Sequence, residues 1–323
     1  MTEARAFWLA TPGRGEIRVE TLPPPKDEEV LVRSSVSAVS RGTESLVFSG
    51  RVPPSQFAAM RCPFQAGNFP APVKYGYAAV GVVEAGAEAL IGRRVFVLHP
   101  HQDRFIVPAE AARPVPDRVS DARAALAANM ETAVNALWDA APRAGDRIAV
   151  VGAGLVGSLI AALAVKLPGA RVELVDIDAR RADIAASFGC AFAPPERATG
   201  EADVVFHASG AAAGLATALR LAGFEAEIVE VSWYGDREVA VSLGENFHSR
   251  RLRLIASQVG SVAPARRARW SRARRLDLAL DLLADPVFDR LITGTSAFAD
   301  LPAAMARLAT APDGALCHLV RYP

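Results

Sequence analysis

Ile148-Ala-Val-Val-Gly-Ala-Gly-Leu-Val-Gly157, followed by the apolar run Ser158 to Val165, is the stretch on which the fold turns. It is uncharged and long enough to be weighed as a membrane span. Three glycines argue against that: a short β-like run ends at Gly152, and Gly152, Gly154 and Gly157 have the spacing of a tight turn that opens a helix. Gly152 permits the turn, Gly154 lets the backbone approach a pyrophosphate, and Gly157 allows close helix-to-strand packing. The helix N-terminus, with Ala153, Leu155 and Val156 around it, supplies amide donors and partial positive charge. The pattern therefore predicts a dinucleotide-binding turn.

The next β-like run ends at Asp176, where a carboxylate accepts hydrogen bonds from the adenosine ribose and repels a 2'-phosphate. NAD(H) is accordingly expected over NADP(H). Arg180 and Arg181 follow closely and offer the alternative of pairing with a 2'-phosphate. Ser209, in His207-Ala-Ser-Gly210 after a later β-run, is a further candidate cofactor contact on a loop facing the same crevice, with ordinary turn chemistry as its plain alternative.

Around this turn, β-runs and helical patterns alternate. Arg147 to Val151, Arg171 to Val175, Asp203 to His207, Glu225 to Val231 and Leu252 to Ser257 read as strands, and Leu155 to Lys166, Ala179 to Phe188 and Ala212 to Ala222 as helices. That rhythm predicts an α/β fold with a doubly wound parallel sheet. Upstream, from Arg5 to about Val119, short apolar runs such as Val30-Leu-Val-Arg and Val80-Gly-Val-Val are separated by Gly and Pro, the mark of a β-rich domain. Asp121 is expected to cap one helix running through Met130 and Trp138 and ending before Pro142. Trp270 to Leu283 places Ala273, Leu276, Leu280 and Leu283 on one helical face, and a helix over 302–308 and a strand over 317–320 close the chain. The expected division is residues 1–118 with 260–323 for the β-rich domain, and 119–259 for the cofactor domain.

Bulk properties narrow the function classes. The chain has 323 residues and 51% hydrophobic content, enough for two cores. Its 36 basic and 35 acidic residues nearly cancel, so no global field draws it to nucleic acid or an anionic membrane. Three scattered cysteines, Cys62, Cys190 and Cys317, form neither a CxxC pair nor a disulfide framework, and no signal-like stretch opens the sequence; a cytoplasmic setting is expected. The arginine-rich run Arg266 to Arg275 reads as a solvated helix face, with recognition of a carboxylate or phosphate as the sharper alternative.

The order of a β-rich domain, a Rossmann unit and a return segment resembles the medium-chain dehydrogenase/reductase superfamily. Ser40-Arg-Gly-Thr-Glu44 is similar to its Cys-Gly-Thr-Asp segment, Gly76-Tyr-Ala78 to its Gly-His-Glu, and Met130-Glu131 falls where polyol dehydrogenases carry a glutamate zinc ligand. Residues 40–54 are further similar to the bacteriochlorophyllide a dehydrogenase subgroup. The resemblance implies a GroES-like catalytic domain beside the Rossmann domain, a small-molecule substrate, a homodimer, and interconversion of a secondary alcohol and a ketone or reduction of an activated double bond. It places Arg41 at the ligand cysteine and Tyr77 at the ligand histidine, leaving only the carboxylate of Glu131. Zinc needs about three protein ligands from Cys, His and carboxylate, so no catalytic or other metal is expected. Arg41, Tyr77, Glu131 and His99 become the catalytic candidates: an Arg41 to Glu131 ion pair, Tyr77 donating to a carbonyl oxygen, and His99 or its neighbour His101 relaying a proton, with metal binding by the two histidines and Glu131 as the lesser alternative. A non-catalytic dinucleotide sensor is the rival from another class.

Overall fold

The computed structural model describes residues 1–310 and 314–323. The chain begins with β1 (Thr2–Thr11), β2 (Arg14–Leu22), β3 (Glu29–Val39) and helix α1 (Arg41–Phe48). It continues through β4 (Ala66–Gly67), β5 (Val73–Lys74), β6 (Ala79–Gly86), β7 (Arg94–Val97), β8 (Arg104–Pro108) and β9 (Arg113–Pro114). After α2 (Asp121–Ala124) and α3 (Ala127–Ala140) come β10 (Arg147–Val151), α4 (Leu155–Ala164), β11 (Arg171–Val175), α5 (Ala182–Phe188) and β12 (Ala191–Ala193). Then follow β13 (Ala202–His207), α6 (Ala212–Leu221), β14 (Ala222–Glu230), β15 (Arg253–Ala256), α7 (Arg272–Leu282), β16 (Ile292–Ala297), α8 (Leu301–Thr310) and β17 (Cys317–Arg321). No helix among the described residues is long and apolar enough to cross a membrane.

Two compact units result, Met1–Ala128 with Leu280–Pro323, and Asn129–Ala279. Both divisions fall later in the chain than 118 and 260, for local reasons. Residues 120–124 are pinned to the first unit because Asp121 accepts from Arg94 Nη1 at 2.8 Å and from Ser35 Oγ at 2.7 Å. Residues 259–275 stay with the second because Arg275 donates to the Val259 and Ser261 carbonyls and to Asn135, whose side chain also accepts from Ala263 N at 3.1 Å. The single helix expected from Asp121 is two: Ser120, not Asp121, is the cap, accepting from Arg123 N, and a break separates α2 from α3.

The first unit holds two sheets, β2-β1-β5-β4 and the larger β16-β17-β3-β6-β7-β9 with β8 on β3. Its core is the valine-rich inward face of those strands, Val30, Val32, Val83, Val95, Val97 and Val107 with Phe105, each nearly inaccessible. β17 runs antiparallel to β3, so the end of the chain returns into the sheet that the N-terminal part began.

In the second unit all six strands are parallel, ordered β12-β11-β10-β13-β14-β15. The chain enters at the centre with β10, winds outward to β12, then crosses to β13 on the other side. Ligands of such sheets sit beyond the strand C-termini at that reversal, between β10 and β13. Helix α7 departs from its expected face: Leu276, Ala279, Leu280 and Leu283 are buried, but Ala273 is exposed and Arg275 points inward instead.

Candidate functional site

The glycine turn lies at the reversal point. Gly152 has φ +104, and a Cβ there would stand 2.5 Å from Ser209 N, so only glycine fits between the ends of β10 and β13. A Cβ on Gly157 would meet the Gly152 carbonyl at 1.9 Å, which fixes the close approach of α4. Gly154 differs: nothing lies within 4 Å of its Cβ position. It is also the residue before α4, and no side chain caps the helix there, so the first-turn amides of Leu155 and Val156 are left without a capping side chain. An anionic group fits that surface.

Asp176 closes the turn from the other side. Its Oδ2 accepts from Ala153 N at 2.6 Å and its Oδ1 from Asp178 N at 2.8 Å. A carboxylate has about four acceptor positions, so two remain for hydroxyl donors. Arg180 and Arg181 are both engaged by Asp178, at 2.8 Å and 3.5 Å. These residues fit the pyrophosphate and adenosine ribose of a dinucleotide.

At the ends of β13 and β14 a polar chain joins the two following loops. His207, fully buried, has Nδ1 2.7 Å from Glu230 Oε2 and Nε2 2.6 Å from Ser209 Oγ. Tyr234 donates to Glu230 Oε2 at 3.0 Å, and Ser232 N to Oε1 at 2.8 Å. Burial works against the Glu230 charge, yet these bonds, His207 foremost, leave its carboxyl below the ordinary value. Ser209 is the exposed end of the chain.

In the first unit, Tyr77 is partly exposed and its phenol is bonded by the side chains of Ser40 and Thr43. Burial of the oxygen raises its pKa well above the ordinary tyrosine value. Arg41 is the first residue of α1, half-buried, at the end of the helix where the dipole disfavours a cation. Beneath them Glu44 Oε1 accepts from Ser40 N at 2.7 Å and Oε2 lies 2.9 Å from His101 Nε2. His101 Nδ1 is 2.7 Å from Ser37 Oγ, itself 2.9 Å from the Tyr322 hydroxyl.

His99 is not placed to relay a proton. Its ring stacks on Phe105 with centroids 3.8 Å apart, its Nδ1 sits 2.9 Å from the Pro100 carbonyl, and burial pushes its pKa down to about 3. The neighbouring His101 holds the hydrogen-bonded position instead. The cation on Glu131 is also not the one expected. Glu131 Oε1 accepts from Arg275 Nε at 2.9 Å, with the two side chains 6% and 1% exposed, so this buried carboxylate is matched within the second unit. Burial still raises its pKa above the ordinary value. Among the described residues, no three His, Cys, Asp or Glu side chains form a metal-binding group.

No known family profile matches the chain. D-guloside 3-dehydrogenase of Escherichia coli (strain K12) is 28% identical over 204 residues, 59% of this chain, and the match spans just over half, 56%, of that protein. A protein of Sinorhizobium meliloti 1021 described as a zinc-binding dehydrogenase, solved with NADP, superposes with TM-score 0.78 at 19% identity, covering 99% of this chain and all of the other. The likeness shows a shared fold, a GroES-like β-rich domain with a Rossmann doubly wound parallel sheet. A protein of Escherichia coli CFT073 described as a short chain alcohol dehydrogenase, complexed with NADH, shares this fold with TM-score 0.77 and 18% identity over 99% of this chain and 100% of the other.

Sequence reasoning missed Glu44, Glu230, Tyr234 and Arg275 as partners of the residues it named. Glu230 had a usable signal, since it ends a strand beside the one that ends at His207. Arg275 had none: five other arginines in the same run are exposed.

Proposed function

We propose that this chain is an oxidoreductase that interconverts a secondary alcohol and a ketone, uses NAD(H) in preference to NADP(H), and works without catalytic zinc. The observation that carries the reading is the open Gly154 surface above the α4 N-terminus with the Asp176 carboxylate beside it. Asp178 supports the NAD preference, because it occupies the two arginines that would otherwise greet a 2'-phosphate. The zinc positions of the resemblance hold an always-protonated guanidinium, a phenol with a raised pKa, and a carboxylate bound to Arg275, a donor set that does not suit the metal. The D-guloside 3-dehydrogenase likeness favours a secondary hydroxyl as the oxidised group.

When bound, the dinucleotide supplies the hydride chemistry at its nicotinamide. The protein has to hold the substrate oxygen and manage its proton. Tyr77 does the first: a phenol kept protonated by burial and by the nearby Glu44, and held by the side chains of Ser40 and Thr43, donates to a carbonyl oxygen and polarises it. Arg41 adds fixed positive charge at the same helix end. We further assign the protein to the cytoplasm as a homodimer, in keeping with three free cysteines and the wider resemblance.

The test is a turnover screen over secondary alcohols, glycosides and enones with each cofactor, with chelator present. NAD⁺-dependent oxidation of a secondary alcohol is expected. Tyr77→Phe should lower kcat by about 10²-fold, the low end for loss of a positioned proton donor, and leave NADH binding unchanged. Tight dinucleotide binding without turnover on any substrate would make the protein a sensor instead, and enone reduction alone would reassign the reaction.

A further inference from the structure

Away from the glycine turn, the second unit carries an apolar groove of about 520 Å³. Leu137, Pro142, Leu163 and Leu167 wall it, with Trp138 and Arg266 beside them. Every wall belongs to residues 129–279, so the groove is a property of that unit alone. Its volume lies in the range of about 300–1,000 Å³ usual for small-ligand sites.

The rim is built from stacked cations and indoles. Trp138 and Trp270 pack with centroids 4.8 Å apart. Arg266 lies over the Trp138 ring at 5.7 Å, and Arg274 over Trp270 at 3.9 Å. Stacking fixes the plane of a guanidinium while its N–H groups stay free to meet an anion edge-on. Positive charge is concentrated here. Between Ala263 and Leu276 there are six arginines and no acid, in a chain whose net charge is only +1. Arg275 alone is internal, paired with Glu131, and Arg272 is exposed but lends its charge to Glu131 as well; Arg266, Arg267, Arg269 and Arg274 are exposed and make no ion pair among the described residues.

A wall of hydrocarbon has nothing to offer a polar ligand, and a cationic rim has nothing to offer a neutral or cationic one. We propose that this groove binds an amphiphilic anion, with an aliphatic or aromatic body against Leu137, Leu163 and Leu167 and a carboxylate, sulfonate or phosphate head on Arg266. The site is separate from the dinucleotide turn and does not rest on the proposed reaction. A membrane lipid carries the same chemistry, but a concave groove favours a single molecule entering from solution over a flat bilayer.

The probe is 8-anilinonaphthalene-1-sulfonate, titrated by fluorescence onto the full chain with saturating NADH so that the dinucleotide turn is occupied. Saturable binding is expected, displaced by dodecanoate below its micelle concentration and not by dodecyltrimethylammonium. Arg266→Glu should weaken it by about tenfold, the loss of one charge-assisted hydrogen bond, with Arg267→Glu changing it little. Both arginines are exposed, so the fold is kept, and a plug, Ala265→Trp, should reduce binding independently. Equal displacement by the cationic and anionic amphiphiles, or binding indifferent to Arg266→Glu and Ala265→Trp, overturns the proposal. So does sedimentation with anionic phospholipid vesicles that Arg266→Glu abolishes, if monomeric dodecanoate does not bind.

Discussion

Each unit contains a histidine joined on one side to a glutamate and on the other to a serine hydroxyl, with a tyrosine attached, and the two chains end in different places. In the first unit, Glu44, His101 and Ser37 are 3%, 1% and 0% exposed and the chain ends at the buried hydroxyl of Tyr322, a residue that is otherwise partly exposed. In the second, His207 is equally dry, but Glu230 is 16% exposed and the chain ends on the exposed Ser209 beside the glycine turn. The same donors and acceptors thus serve two purposes. A polar chain closed on itself fixes backbone, here the start of α1 through Ser40 N; one that ends at a surface hydroxyl hands its polarity to whatever binds there. If His207 holds its proton on Nδ1 toward Glu230, Nε2 accepts from Ser209, whose oxygen keeps a lone pair for a ligand.

Breaking the first chain should have the largest effect. Glu44→Leu or His101→Leu leaves the partner buried and unmatched, at a cost of about 3 to 5 kcal/mol in urea unfolding at neutral pH. The double variant should cost less than the sum of the single ones. Strict additivity, or a cost no larger than for the Ser209 change below, would erase the difference between the chains.

Acid should separate the units next. His99 is neutral in the folded state, with its pKa at about 3, whereas in the unfolded chain it takes a proton near 6.5. The unfolded state therefore binds the proton first as pH falls, and stability declines between those values by up to about 1.4 kcal/mol per pH unit. His99→Phe, which keeps the stack on Phe105, should flatten that decline in urea titrations from pH 7 to 4. Glu230 adds a smaller loss at lower pH: its folded pKa is depressed, so its contribution is present above its unfolded value and disappears as pH drops through the folded one. An unchanged slope in His99→Phe would show that the ring does not set acid sensitivity.

The smallest change is at the open end of the second chain. Ser209→Ala should alter stability by less than about 1 kcal/mol while weakening NADH severalfold, since one neutral hydrogen bond is at stake. Unaltered NADH binding would remove Ser209 from the cofactor site.

The two units also differ in how far they could be read from sequence. The alternation from Arg147 to Ser257 was legible nearly element by element, because a buried parallel strand and the helix after it carry distinct periods and the glycine spacing has a steric cause. The expected helices and strands match β10, β11, β13, β14, β15 and α4 to α6 within a few residues, while the three-residue edge strand β12 was not anticipated. The side chains that complete each cluster were harder. Which cation meets Glu131 depends on Arg275, 144 positions away, and no local pattern sets it apart from its exposed neighbours. His99 and His101 look alike in an extended segment, and only the packing of Phe105 against one and Glu44 against the other tells them apart.

The Gly154 and Asp176 surface as a seat for NAD(H) is tested most directly by calorimetric titration of the wild type and Asp176→Ser with NADH and NADPH. The wild type should bind NADH at least about tenfold more tightly than NADPH, a difference of about 1.4 kcal/mol, and Asp176→Ser should narrow or reverse that ratio. Failure to bind either dinucleotide, or a tenfold preference of the wild type for NADPH, would contradict it.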